Sequence, residues 1–196
     1  FGHVSPTTAR HVRDEFGDAV MVLDGGPCQV GIESTILDLS RIKTLKRPVV
    51  LRPGAVTPEM IRDVIGEMAL GIDDVPSASR ATPRVSGSLE SHYAPRTPLR
   101  LVPKDVLSAE VDRLLAAGRR VAVLAFSAKP RVAPSPVGVG IRNARTLVWI
   151  AVDSDVGAYA QGLYANLRTL DAAQPSQILV EAPPSGSAWV AFHDRM

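Results

Sequence analysis

The chain has 196 residues, 45% of them hydrophobic and 21% charged, with a net charge of +2 at neutral pH. That is enough chain to bury a core and too apolar a composition for a disordered polypeptide. The small charge gives no argument for nucleic acid or an anionic membrane, and the short basic groups (Lys43, Lys46, Arg47; Arg119, Arg120; Lys129, Arg131) read as solvated surface.

Ser5-Pro6 reads as a helix start, with Ser5 as N-cap and Pro6 at the first helical position. Ala9, Val12 and Phe16 then fall on one helical side, and Gly17 ends the element. Ala19 to Leu23 reads as a strand, and Asp24-Gly25-Gly26-Pro27 as a turn. The single cysteine, Cys28, excludes an internal disulfide, fits a reducing compartment and reads as a small turn residue. Ser34 to Leu39 and Pro48 to Arg52 are two further strands, with a turn near Lys43-Thr44. Thr57-Pro58-Glu59 opens a helix on which Met60, Ile61, Val64, Ile65 and Met68 are expected to form a buried stripe.

From Pro76 to Pro98 the hydrophobic period vanishes. Pro and Ser supply 9 of these 23 residues, the composition of a linker. Beyond it, Leu99 to Val102 is a strand, and Leu107, Val111, Leu114 and Leu115 mark a helix face ending at Gly118. Arg120 to Phe126 is an almost wholly apolar strand, as expected where both sheet faces are covered. Lys129 to Gly140 is a long loop. Val156, Tyr159, Ala160, Leu163, Tyr164, Leu167 and Leu170 mark a long amphipathic helix. Gln177 to Val180 is another buried strand, and Ala188 to Phe192 begins a last helix. Alternating strands and helices predict a small Rossmann-like α/β layer with a mainly parallel sheet. The expected division is 1–75 for a first domain, 76–98 for the linker and 99–196 for a second domain. No apolar run reaches the roughly 18 residues that span a bilayer, and no signal peptide is visible, so a cytoplasmic location is expected.

The chain has no Gly-x-x-x-x-Gly-Lys-Ser/Thr loop and no Gly-x-Gly-x-x-Gly after a strand; Gly138-Val139-Gly140 lacks a following helix. One cysteine and four scattered histidines do not make a zinc set, and Gly186-Ser187-Ala188 lacks the second glycine of a nucleophile elbow. The remaining candidates are polar. Thr7 and Thr8 at a helix entrance suit either a phosphate or a plain cap. Glu33-Ser34-Thr35 at a strand entrance suits a small zwitterion or a half-exposed strand face. Arg52 before Pro53-Gly54 could clamp phosphates or make a structural ion pair. His92-Tyr93, flanked by polar linker, could stack on or hydrogen-bond a base.

Taken in series, Ser5-Pro6-Thr7-Thr8-Ala9-Arg10-His11-Val12, Asp24-Gly25-Gly26, Gly31-Ile32-Glu33-Ser34-Thr35-Ile36, Leu51-Arg52-Pro53-Gly54 and His92-Tyr93-Ala94-Pro95 resemble one family. It is the two-domain threonylcarbamoyl-AMP synthases, built from a YrdC domain and a smaller C-terminal Sua-type domain. Leu167 to Asp171 and Trp189-Val190-Ala191 through Asp194-Arg195 are similar to its final segment. The resemblance implies that L-threonine, bicarbonate and ATP condense to threonylcarbamoyl-adenylate with release of pyrophosphate, serving tRNA threonylcarbamoyladenosine modification and its partner proteins. It implies Thr7, Arg52 and His92 as ATP-binding residues and Ser34 as the L-threonine-binding residue. It assigns no acid–base catalyst, and it is compatible with Mg2+ on the phosphates, with no ligand named.

The family's YrdC domain begins upstream, with a Lys-x-Arg and a Ser-x-Asn motif that are not in this chain. Residues 1–75 are therefore expected to be the C-terminal part of a YrdC-like twisted-sheet α/β domain, and the polypeptide alone is expected to be inactive. The linker also reads Val85 to Ser91 where many members carry a Pro-Gly-Met type sequence. Two alternatives stay open: another carbamoyl-adenylate enzyme of the YrdC superfamily, or a non-enzymatic tRNA- or protein-binding module.

Overall fold

A computed structural model describes residues 3–76, 94–128 and 147–196. His92, Tyr93, the 85–91 linker segment and the whole of the expected 129–140 loop, Gly138 to Gly140 included, lie outside the described residues.

Two sheets organise the chain. The first has three strands, β1 (Ile36–Asp38), β2 (Val49–Arg52) and β3 (Leu70–Gly71), in that order, with β1 antiparallel and β3 parallel to β2. Helix α1 (Ala9–Phe16) precedes it, a single turn α2 (Ile42–Leu45) joins β1 to β2, and α3 (Pro58–Ile65) joins β2 to β3. The second sheet is wholly parallel, in the order β4 (Leu99–Val102), β7 (Gln177–Glu181), β5 (Val121–Ala125), β6 (Leu147–Ala151). Helices α4 (Lys104–Ala116) and α5 (Val156–Ala172) make the connections, and α6 (Val190–Arg195) closes the chain.

The period of two along the central strand decides the layering. Val121, Val123 and Ala125 of β5 pack with Leu107, Val111 and Leu114 of α4 on one face. Ala122 and Leu124 pack with Leu163, Leu167 and Leu170 of α5 on the other. All five β5 residues are buried, as an apolar strand in a doubly covered parallel sheet requires. Removing each such Leu, Ile or Val side chain from water contributes about 1.5–3 kcal/mol. The expected α/β class with a parallel sheet is therefore present. Strand β6 is an addition; its Leu-Val-Trp-Ile-Ala run carries the β-branched and aromatic signal, but no element was expected between the loop ending at Gly140 and the helix at Val156.

Four local expectations need correction. The N-cap of α1 is Thr8, whose side chain accepts from the His11 N–H, because the Ser5 hydroxyl is bound to Glu33 instead. Ala19 to Leu23 is not a strand: a 3-10 turn at Gly17–Ala19 is followed by extended chain that pairs with no described strand, with Met21 and Leu23 exposed. The stripe of α3 is not buried. Ile61 is, whereas Met60, Val64 and Ile65 are exposed. Helical period reports that an apolar face exists and says nothing of what covers it. Finally, Phe16 of α1 is also exposed rather than packed.

The first segment does not float beside the second sheet. Val4 is a member of the α5-side core, Ile32 packs against it, and Gly31 lies directly on α5. No helix among the described residues is long and apolar enough to cross a membrane.

Candidate functional site

The antiparallel pairing of β1 with β2 sets Ile36 opposite Arg52, so the residues leading into β1 run past the guanidinium. Arg52 is buried, and its Nε and Nη2 donate to the Ser34 carbonyl at 3.1 and 2.9 Å. Nη2 also donates to Ser34 Oγ at 3.3 Å, while Ser34 itself is exposed. The result is an accessible hydroxyl backed by a fixed cation. Such a pair suits a small anionic or zwitterionic ligand.

Glycine makes this approach possible. A Cβ on Gly54 would stand 2.4 Å from the Thr35 nitrogen and 2.6 Å from the Glu33 carbonyl oxygen, so only glycine lets the two backbones touch. The Thr35 hydroxyl donates to the Val56 carbonyl at 2.8 Å, closing the same junction.

Glu33 has another task. Its carboxylate accepts from the Ser5 hydroxyl at 2.5 Å, from the Tyr164 hydroxyl of α5 at 2.6 Å and from Arg195 Nε of α6 at 2.8 Å. Burial works to raise this carboxyl, and the Ser5 and Tyr164 hydrogen bonds with the Arg195 charge outweigh it, leaving it below its ordinary value of 4.5. The sign follows from linkage. A carboxyl depressed in the folded state adds stability above its unfolded pKa, and that stability is lost as pH falls through the depressed value. Glu15 and Asp38 are depressed too, while burial raises Asp194 beside Arg195 and opposes them. The chain is therefore expected to lose stability as pH falls below about 4.5, and Glu33→Gln to flatten that slope. Denaturant midpoints measured across this range check it; an unchanged slope refutes the assignment.

Thr7 is buried. Its N–H donates to His11 Nδ1 at 3.2 Å, its Oγ1 lies 3.3 Å from the same atom, and its carbonyl accepts from the Cys28 N–H at 2.9 Å. Burial, then the Arg168 charge, lower the His11 pKa, which favours the neutral ring that can accept at Nδ1. Ser5 ties this segment to Glu33, so Thr7 stands two residues from a bond that ends one residue before Ser34. The structure thus joins Ser34 to Arg52 directly and Thr7 to them through Ser5 and Glu33; His92 lies outside the described residues.

A cleft of about 1020 Å³ opens elsewhere, lined by His3, Arg10, His11, Arg96, Arg120 and Arg168 among others, and by none of Thr7, Ser34 or Arg52. Its most enclosed cation, Arg168, is committed to the Val4 and Ser5 carbonyls and to Glu15. Chemistry, not volume, places the candidate site at Ser34. Among the described residues no three His, Cys, Asp or Glu side chains gather to hold a metal ion.

The family described as "Threonylcarbamoyl-AMP synthase, C-terminal domain" matches residues 56–196, and one described as "Telomere recombination" matches residues 1–54. The chain belongs to the threonylcarbamoyl-AMP synthase family. It is 30% identical over 198 residues to the threonylcarbamoyl-AMP synthase of Bacillus subtilis, covering 100% of this chain and 53% of the relative. The enzyme of the same name from Pyrococcus abyssi is 30% identical over 202 residues, covering 100% and 54%. The chain thus spans about half the length of the curated relatives it matches. Among solved structures, P. abyssi Sua5 complexed with L-threonine superposes with a TM-score of 0.69 at 27% identity, over 99% of this chain and 53% of that one.

The residues taken in line do not reveal that Glu33, Tyr164 and Arg195 form one cluster. Glu33 was legible as a polar residue at a strand entrance and Tyr164 as one more apolar residue on a helix face. Nothing local announced that they meet, 131 positions apart in the chain.

Proposed function

We propose that this chain carries the L-threonine-binding wall of a threonylcarbamoyl-AMP synthase, which joins L-threonine, bicarbonate and ATP into threonylcarbamoyl-adenylate and pyrophosphate. The observation that carries the reading is the exposed Ser34 hydroxyl held by the buried Arg52, in a chain that family descriptions cover from residue 1 to residue 196 with one position between them.

In this reading Ser34 holds threonine, and Arg52 orders the Ser34 backbone and bears on the nucleotide phosphates from the same wall. Thr7 serves ATP at the entrance of α1 by exchanging its His11 contact for the ligand, and His92 reaches the nucleotide from the linker. The amine of threonine attacks carbon dioxide derived from bicarbonate. The resulting carbamate oxygen attacks the α-phosphorus, and pyrophosphate leaves. These steps ask for positioning and neutralised charge more than for a general base. Mg2+ on the ATP phosphates would neutralise charge there, and among the described residues no three His, Cys, Asp or Glu side chains gather to hold it. The division into 1–75, 76–98 and 99–196 is retained, supported by one sheet within 36–71 and another within 99–181. A cytoplasmic place beside tRNA-modifying partner proteins belongs to the same reading.

Pyrophosphate release dependent on both L-threonine and bicarbonate, assayed on the full product of the gene, tests it. Ser34→Ala is expected to weaken threonine binding about 10-fold, the loss of one hydrogen bond to a charged ligand. Calorimetric titration of both proteins reads this; equal affinities would remove Ser34 from the site.

A further inference from the structure

We infer that Arg195, in the last helix of the chain, is a positioning residue for the Ser34–Arg52 wall, holding it from the second sheet's side through Glu33 and the Pro53 carbonyl. The inference rests on the reading of Ser34 given above, and its geometry stands apart from that reading.

One guanidinium grips both strand segments of the wall. Nε donates to Glu33, which precedes Ser34, at 2.8 Å, and Nη2 donates to the carbonyl of Pro53, which follows Arg52, at 2.7 Å. The contacted residues therefore flank the site on each of its two strand segments. The third arm, Nη1, donates to Asp194 at 2.5 Å and lies 3.5 Å from the Ala191 carbonyl. Only 1% of the Arg195 side chain is exposed, so these bonds are shielded from water.

The arm itself rests on a rigid base. Trp189 and Phe192, on either side of the start of α6, pack against Tyr159 of α5 at ring separations of 5.3 and 5.0 Å. Trp189 also meets Phe126 at the end of β5 at 5.6 Å. Helix α6 is thereby fixed to the parallel sheet, and Arg195 transmits that fixity to Glu33 and Pro53. Lysine offers one point charge, not a fork, and could keep the Glu33 pair while losing the Pro53 contact.

With arginine side chains labelled with nitrogen-15, Arg195→Met is expected to shift the Arg52 Nε–H resonance. Val111→Ala, which removes buried volume from α4 on the opposite face of the sheet, is expected to lower stability and leave that resonance in place. L-Threonine affinity is expected to fall about 10-fold in Arg195→Met, or ~1.4 kcal/mol, and to recover in part in Arg195→Lys. An Arg52 signal unmoved in folded Arg195→Met overturns the inference, as does an equal shift in Val111→Ala. Should Arg195→Met not fold, Arg195→Lys is read by the same signal with the same outcomes. Absence of threonine binding in the unaltered full product of the gene would refute the Ser34 reading, while the Arg52 signal still decides the positioning role.

Discussion

Gly31→Ala is expected to lower the unfolding free energy by about 2–4 kcal/mol and to loosen the first segment from the parallel sheet. Two independent constraints meet at this residue. Its φ of +79° lies in the left-handed region, which costs a residue with a Cβ about 1–2 kcal/mol. The added Cβ would also stand 2.3 Å from the Ala160 carbonyl oxygen and 2.5 Å from the Gln161 Cα, both backbone atoms of α5. Neither can swing aside as a flexible side chain would. Either the strand entrance or α5 must retreat, and the Glu33 bonds to Tyr164 and Arg195 stretch with it. Denaturant unfolding gives the stability, and hydrogen exchange at Ile32 to Thr35 gives the loosening. A variant within 0.5 kcal/mol of the parent, about the usual spread of harmless surface changes, would show that the approach is not obligatory.

Glu33→Ala is expected to cost about 2–4 kcal/mol. The change removes the acceptor shared by the Ser5 and Tyr164 hydroxyls and one of the two carboxylates on a buried guanidinium. Asp194 and the Pro53 carbonyl remain with Arg195, which holds the cost below that of a wholly unpaired buried charge. Glu33→Gln, whose amide oxygen still accepts, is expected to lose roughly half as much. A double-mutant cycle of Glu33→Ala with Arg195→Met isolates the pair. A coupling near zero would mean that the two side chains act independently and would remove Glu33 from the path by which Arg195 holds the wall.

The secondary structure was legible wherever period and burial agree. Leu99–Val102, the α4 and α5 faces, the apolar β5 and the strand at Gln177 all occur where apolar spacing places them. It was illegible where the same local pattern has two outcomes. Met60, Val64 and Ile65 make a sound helical stripe and stand in solvent, and the apolar Ala19 to Leu23 run finds no described strand to pair with. A stripe and a run state a demand for a partner; whether one arrives is settled by chain far away.

The site divides the same way. The motif order from Ser5 to Pro95 placed the chain in its family, while the close backbone approaches at Gly31 and Gly54 came only from the structure. Sequence alone therefore determined the class, the parallel second sheet and the small set of polar residues to consider. The tertiary structure decided what each does. It left Ser34 exposed over Arg52, turned Glu33 toward Tyr164 and Arg195, and made one strand entrance both the candidate site and a joint. Adjacent residues in extended chain point to opposite sides, and the identity of what waits on each side is a long-range fact.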